Sequence, residues 1–286
     1  LRSAFSVFRA GIGAHKNPSA CWQALRVYYM DTNAAVEAAN LELETFASSA
    51  NALGLRQARA IIAIGSLPGG YFRPGQSDLD LIVLFHGTPP ADEAFSQVER
   101  EEMERLKKLA AQASPFEIEL IFLHESRLAR DPLTGCLPYA DFVQRLRSQS
   151  KLLWGRVDLA SLTAPEREDF VCAFKRYLEY EQDKLGMEFS QAWTQSPLAE
   201  LLKHALVLMR TFLLVRRGIL EYDKTRIARL YTKNRPPAPL PQALARCIDL
   251  RFAGEPPSEA LEAAARAELP AFHAALTKEI LNLSRE

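Results

Sequence analysis

Apolar positions along the chain fall into two regimes. Residues 32–58 carry Val36, Ala39, Leu43, Phe46, Ala50 and Leu53 at helical spacing behind Asp31, Thr32 or Asn33 as caps, which predicts a helix. Residues 59–64 form a short apolar run that predicts a buried strand, and a Gly- and Pro-rich stretch follows from Gly65 to Gln76. A second strand is expected over 78–85, an amphipathic helix over 91–113, a third strand over 116–123, a helix ending near Ser150 and a short strand over 151–155. From Thr163 onward the period is helical only. Helices are expected over 164–190, 197–218, 223–232, 239–252 and 258–284, punctuated by prolines at 197, 236, 237, 239, 241, 256 and 257. The pattern reads as an α+β fold: a small mixed-sheet domain at 59–160, preceded by a helical extension at 1–58 packed on it and followed by a helical bundle domain at 161–286.

Composition narrows the class without naming a function. The 286 residues include 35 basic and 35 acidic side chains, 48% hydrophobic and 24% charged residues, as in an average soluble globular protein. A formal charge of zero provides no global attraction to nucleic acid or anionic membrane. The four cysteines at 21, 136, 172 and 247 form no Cys-x-x-Cys pair, and the five histidines lie far apart, so reduced thiols in a cytoplasmic protein are expected. No apolar run reaches the length of a membrane span, and the first ten residues lack the long apolar stretch of a signal peptide. The charge-rich helix at 91–113, with Glu99, Arg100, Glu101, Glu102, Glu104, Arg105, Lys107 and Lys108, reads as one with a solvated outer face.

Candidate chemistry concentrates between Gly65 and Phe85. Alternation along a strand places Asp78 and Asp80 on one face, about 7 Å apart. Two carboxylates opening an apolar strand repel each other unless a cation lies between them, and hard oxygen donors of this kind suit Mg²⁺ held together with substrate phosphates. A pair of such ions can clamp the attacking and leaving oxygens of a phosphoryl displacement. One strand earlier, Gly65 allows close backbone approach to a phosphate, and the Ser66 hydroxyl and the amides of the turn after it can donate to its oxygens. Glu117 and Glu119 on the third strand share a face and offer a third carboxylate, as metal ligand or as proton acceptor for an attacking hydroxyl.

Gly65-Ser66, then Ser77-Asp78-Leu79-Asp80, then an acidic third strand, resembles the nucleotidyltransferase superfamily related to DNA polymerase β. Within it the chain is similar to the streptomycin/spectinomycin-type aminoglycoside adenylyltransferases. The spacer from Ser66 to Asp78 is about one residue longer than usual. Both Glu117 and Glu119 fit the third acidic position. The resemblance extends to the helical part through Lys203 to Arg210, Gly218 and Tyr222-Asp223-Lys224. It implies that Asp78, Asp80 and Glu119 bind Mg²⁺, that Gly65, Ser66 and Ser77 hold phosphate, and that Lys224 is either a phosphate contact or a solvated helix start.

The resemblance therefore implies a Mg²⁺-dependent enzyme with two ions. It would move a nucleoside monophosphate, AMP from ATP, to a hydroxyl of a small molecule such as an aminoglycoside, with release of pyrophosphate. Residues 210–235 hold eight basic and two acidic side chains, a net +6 suited to a triphosphate, and no interleaved aromatics favour nucleic acid. Glu179, Glu181, Asp183 and Glu188, with Tyr177, Tyr180 and Trp193, could line a pocket for a cationic acceptor or simply be solvated. Two other functions stay open: a related protein that modifies a protein or RNA, and a catalytically silent nucleotide-binding module.

Overall fold

The computed structural model describes residues 31–88, 94–112, 116–185 and 196–282, with side chains described to 179 in the third stretch. It is an α+β protein with a mixed four-stranded sheet and, among the described residues, eight α-helices. The chain divides into two compact units, one ending at Pro165 and one running on from Glu166.

The first unit contains α1 (Thr32–Ala52), β1 (Ala58–Ile64), β2 (Leu79–Phe85), α2 (Gln97–Ala110), β3 (Ile118–His124), a 3₁₀ turn (Glu125–Leu128), α3 (Ala140–Ser148) and β4 (Ser150–Gly155). The strand order is β3-β2-β1-β4. β1 runs antiparallel to both of its neighbours, whereas β2 and β3 are parallel and joined through α2. Such a parallel step needs a crossover of the kind α2 provides. Alternation sends the two faces of β2 into separate cores. Leu79, Leu81, Val83 and Phe85 pack with Leu43 and Phe46 of α1 and Leu106 of α2. Ile82 and Leu84 pack with Ile62 of β1 and Val143 and Leu146 of α3.

Two acidic residues of α2 correct the expected solvated face. Glu99 and Glu102 are buried, one turn apart and in line with Leu106. Glu99 closes a capping box, accepting from the Ser96 amide at 2.6 Å, and meets the buried His124 ring at 2.9 Å. Burial alone would raise its pKa, but the Ser96 hydrogen bonds and His124 outweigh burial and hold it below its ordinary value. Glu102 accepts from the amides of Arg56, Gln57 and Ala58 at 2.7, 3.1 and 3.0 Å. This captures the chain between α1 and β1 and ends α1 six residues earlier than the spacing predicts. Sequence periodicity counts charge, not hydrogen-bond demand, so it assigns such residues to solvent.

The second unit is helical: α4 (Arg167–Leu185), α5 (Leu198–Arg217), α6 (Lys224–Lys233), α7 (Gln242–Ala253) and α8 (Glu259–Leu281). α5 packs against all four others and is buried nearly all round, from Leu201 and Leu202 through Leu208 and Met209 to Phe212 and Leu213. Tyr231 of α6 fills the centre, edge-on to both Phe212 and Phe272, and its hydroxyl donates to the Ala238 carbonyl. No helix among the described residues is long and apolar enough to cross a membrane.

Candidate functional site

One end of the sheet gathers the chemistry-bearing residues. Asp80 pairs in register with Ile64 of β1 and with Glu119 of β3. Residues paired in register on adjacent strands project to the same face, so Asp80 and Glu119 are neighbours on the face that farther along carries Ile82 and Leu84. The ladder continues one step beyond β2, where the Leu79 amide donates to the Glu117 carbonyl at 2.8 Å. Asp78 and Glu117 therefore flank the mouth of the same strand pair. Glu117 and Glu119 are exposed, whereas Asp78 and Asp80 are half-buried. The carboxylates of Asp78, Glu117 and Glu119 accept no hydrogen bond and join no ion pair with any described residue.

The turn after β1 closes onto this end. Gly65 has φ +87°, and a Cβ built there would lie 2.5 Å from Asp80 Oδ2. Only glycine admits both the backbone angle and the carboxylate pressed against it. The turn then winds tightly: the amides of Gly69, Gly70 and Tyr71 donate to the carbonyls of Gly65, Leu67 and Ser66 at 3.0, 3.2 and 3.0 Å. Those three donors are spent and Pro68 has none, which narrows the expected row of phosphate-facing amides to Ser66 and Leu67. The Ser66 hydroxyl, half-buried, is engaged by no described residue. Ser77 closes a second turn, its Oγ accepting from the Arg73 amide at 3.1 Å while its own amide donates to the Arg73 carbonyl at 2.9 Å.

Mg²⁺ fits the donor chemistry of this end, since all the side chains concerned offer hard carboxylate oxygens. Among the described residues no three His, Cys, Asp or Glu side chains gather to hold an ion. Asp80 and Glu119, paired in register, offer two carboxylates, and one or two carboxylates completed by phosphate oxygens and water is an ordinary Mg²⁺ arrangement.

Other candidates lie outside the sheet. Lys224 is exposed at the first position of α6 in the helical unit, behind the cap Asp223, which accepts from the Thr225 amide at 3.0 Å. The basic run is largely engaged within that unit. Arg216 pairs with Glu279 at 3.3 Å, Arg226 with Glu221 at 3.2 Å, Arg210 lies 5.1 Å over the Tyr222 ring, and Arg217 donates to the Asn234 carbonyl. Of the acidic helix, Glu179 is exposed, and the Tyr177 hydroxyl lies within hydrogen-bonding distance of His204 Nδ1, at 2.7 Å. The side chains of Tyr180, Glu181, Asp183, Glu188 and Trp193 lie outside the described residues.

Sequence reasoning passed over three residues that shape the turn. Tyr71 reaches Gln149 across 78 positions, hydroxyl to Oε1 at 2.9 Å. Ser150, opposite Ile64, ties back to the Leu146 carbonyl at 2.6 Å. No local pattern marks the Tyr71–Gln149 or Ile64–Ser150 pairs, because their separation along the chain is set by the sheet order.

No family model and no curated protein matches the chain. Solved structures similar to it include the spectinomycin adenyltransferase AAD(9) from Enterococcus faecialis, determined with ATP and spectinomycin. That match is 16% identical, covers 78% of this chain and 92% of the other, and has a TM-score of 0.49. A toxin–antitoxin structure with AMP-PNP matches at 19% identity over 50% of this chain and 94% of the other, with a TM-score of 0.25.

Proposed function

We propose that the sheet end is the active site of a nucleotidyltransferase that passes a nucleoside monophosphate, AMP from ATP, to a hydroxyl of a small molecule. The observation that carries this reading is the register. It sets Asp80 beside Glu119, and Asp80 lies against Gly65 at the start of the turn, which supports reading the carboxylates and the turn as one site. The Ser66 hydroxyl and the Ser66 and Leu67 amides donate to the β and γ phosphate oxygens. Asp80, Glu119 and Asp78 would hold Mg²⁺, which would supply charge neutralisation for the triphosphate. Glu117, at the exposed mouth, accepts the proton of the acceptor hydroxyl. That oxygen bonds the α-phosphorus in line as the bond to pyrophosphate breaks. The acceptor class follows the sequence resemblance: aminoglycosides, hydroxylated and cationic, are the first to try. ATP as donor places the reaction in the cytoplasm.

The test incubates the protein with α-labelled ATP, Mg²⁺ and a panel of aminoglycosides, following transfer of label and pyrophosphate release. The expected result is labelled acceptor with wild-type protein and at least about a hundredfold loss in Asp80→Asn and Glu119→Gln. Transfer by these variants at the wild-type rate would overturn the assignment of the site. No pyrophosphate release by wild-type protein with any acceptor would overturn the activity.

A further inference from the structure

The turn that follows β1, residues 65–71, is pinned at both of its ends to one place. At its start, Ile64 pairs with Ser150, the first residue of β4. At its end, the Tyr71 hydroxyl donates to Gln149, the residue immediately before Ser150. Gln149 is itself held as the cap of α3, its amide donating to the Arg145 carbonyl at 2.7 Å. Between the pins, the Tyr71 amide closes on the Ser66 carbonyl, and the Tyr71 ring lies so near Gly69 that a Cβ there would sit 2.4 Å from Cε1. The ring thus covers the turn while the hydroxyl anchors it.

We propose that Tyr71 and Gln149 are positioning residues. Their hydrogen bond holds residues 65–70 in the shape that presents the Ser66 hydroxyl and the Ser66 and Leu67 amides to the β and γ phosphates of a nucleoside triphosphate. This rests on the reading of the turn as the phosphate-holding element. Neither residue touches the nucleotide; they act by ordering the turn before it binds. Without the tether the turn samples other shapes, and each binding event must order it again. The cost falls only on ligands that use the turn. A triphosphate does, and a monophosphate, lacking the β and γ groups, does not.

Three measurements on Tyr71→Phe, Gln149→Leu and the double variant test this. In the absence of ligand, hydrogen exchange of the Gly69, Gly70 and Tyr71 amides is expected to quicken by about tenfold in each variant, the effect of losing one neutral hydrogen bond. Calorimetric titration with Mg²⁺ and ATP is expected to show binding weakened about five- to tenfold, with AMP binding unchanged. The double variant is expected to be no weaker than either single one, because both substitutions remove the same bond. Unchanged exchange or unchanged ATP affinity overturns the inference while leaving the proposed activity standing. Equal losses for ATP and AMP also overturn it, since they mark a general disturbance of the fold. Absence of ATP binding by wild-type protein overturns the phosphate reading of the turn, and this inference with it.

Discussion

Two sets of carboxylates in the same unit meet opposite fates. Glu99 and Glu102 on α2 are buried, and the protein supplies every donor around them: the Ser96 amide, His124, and the amides of Arg56, Gln57 and Ala58. Asp78, Glu117 and Glu119, at the sheet end, receive no donor from any described residue. A buried carboxylate must be satisfied internally or it costs several kcal/mol. One that meets solvent carries no such demand and is free to serve a ligand. The contrast separates acidic residues that hold the fold from those available for chemistry, although both kinds look alike in the sequence.

The strongest way to break that contrast is Glu102→Ala. It strands three amides at the entry to β1, and a loss of about 3–5 kcal/mol is expected in urea unfolding. A loss under about 1 kcal/mol would show that water replaces the carboxylate and that burial does not distinguish the two sets.

The helical unit extends the comparison to pH. His204 and His273 stack at 5.0 Å between ring centroids, and the Tyr177 ring stacks with His204 at 5.5 Å. Burial pushes His204 down to about 3, with the neighbouring His273 adding to the effect, and pushes His273 down to about 4. In the unfolded chain both titrate near 6.5, so the unfolded state takes up protons first as pH falls. The stability these residues contribute is complete above about pH 6.5 and drains away below it, at up to about 1.4 kcal/mol per pH unit for each ring. Between pH 7 and 5.5 the expected loss is about 2–3 kcal/mol, read as a fall in denaturation midpoint, and His204→Phe is expected to remove about half of the slope. Glu99, held below its ordinary value of 4.5, adds to the loss only at still lower pH. A flat stability curve from pH 7 to 5.5 would contradict the burial argument.

Gly65→Ala tests the point where fold and site touch. The φ of +87° and the Asp80 oxygen at 2.5 Å together cost about 1–3 kcal/mol. Relief of the clash requires Asp80 to move, so transfer is expected to fall further than stability does. The smallest change in folding belongs to the variants of the activity test. Glu119→Gln is expected to stay within about 0.5 kcal/mol of wild type, since its exposed carboxylate is engaged by no described residue. A large destabilisation there would place Glu119 with the structural set.

Much of the architecture was legible in the pattern of residues. The strand at Ala58–Ile64, the strand at Leu79–Phe85 and the helices at Leu198–Arg217 and Lys224–Lys233 fall within one or two residues of their expected bounds, because apolar periodicity and capping are local. The candidate site was legible wherever its residues lie within a few positions of one another, as Gly65-Ser66 and Asp78-x-Asp80 do, although the strand itself begins only at Leu79. Pairing across strands was not. Whether Glu117 or Glu119 stands beside Asp80 depends on the register of β3, and a slip by one residue would turn every side chain of that strand to the other face.

By itself, then, the chain's order of residues determined the elements, the mixed α+β class and the short list of chemistry-bearing side chains, since each depends on neighbours within a few positions. Tertiary structure alone decided that Glu119 faces Asp80, that Glu102 is an internal hydrogen-bond acceptor and that Tyr71 finds Gln149. Those outcomes are set by strand order and by which polar groups burial leaves in need of a partner, and neither is written in the spacing of residues along the chain.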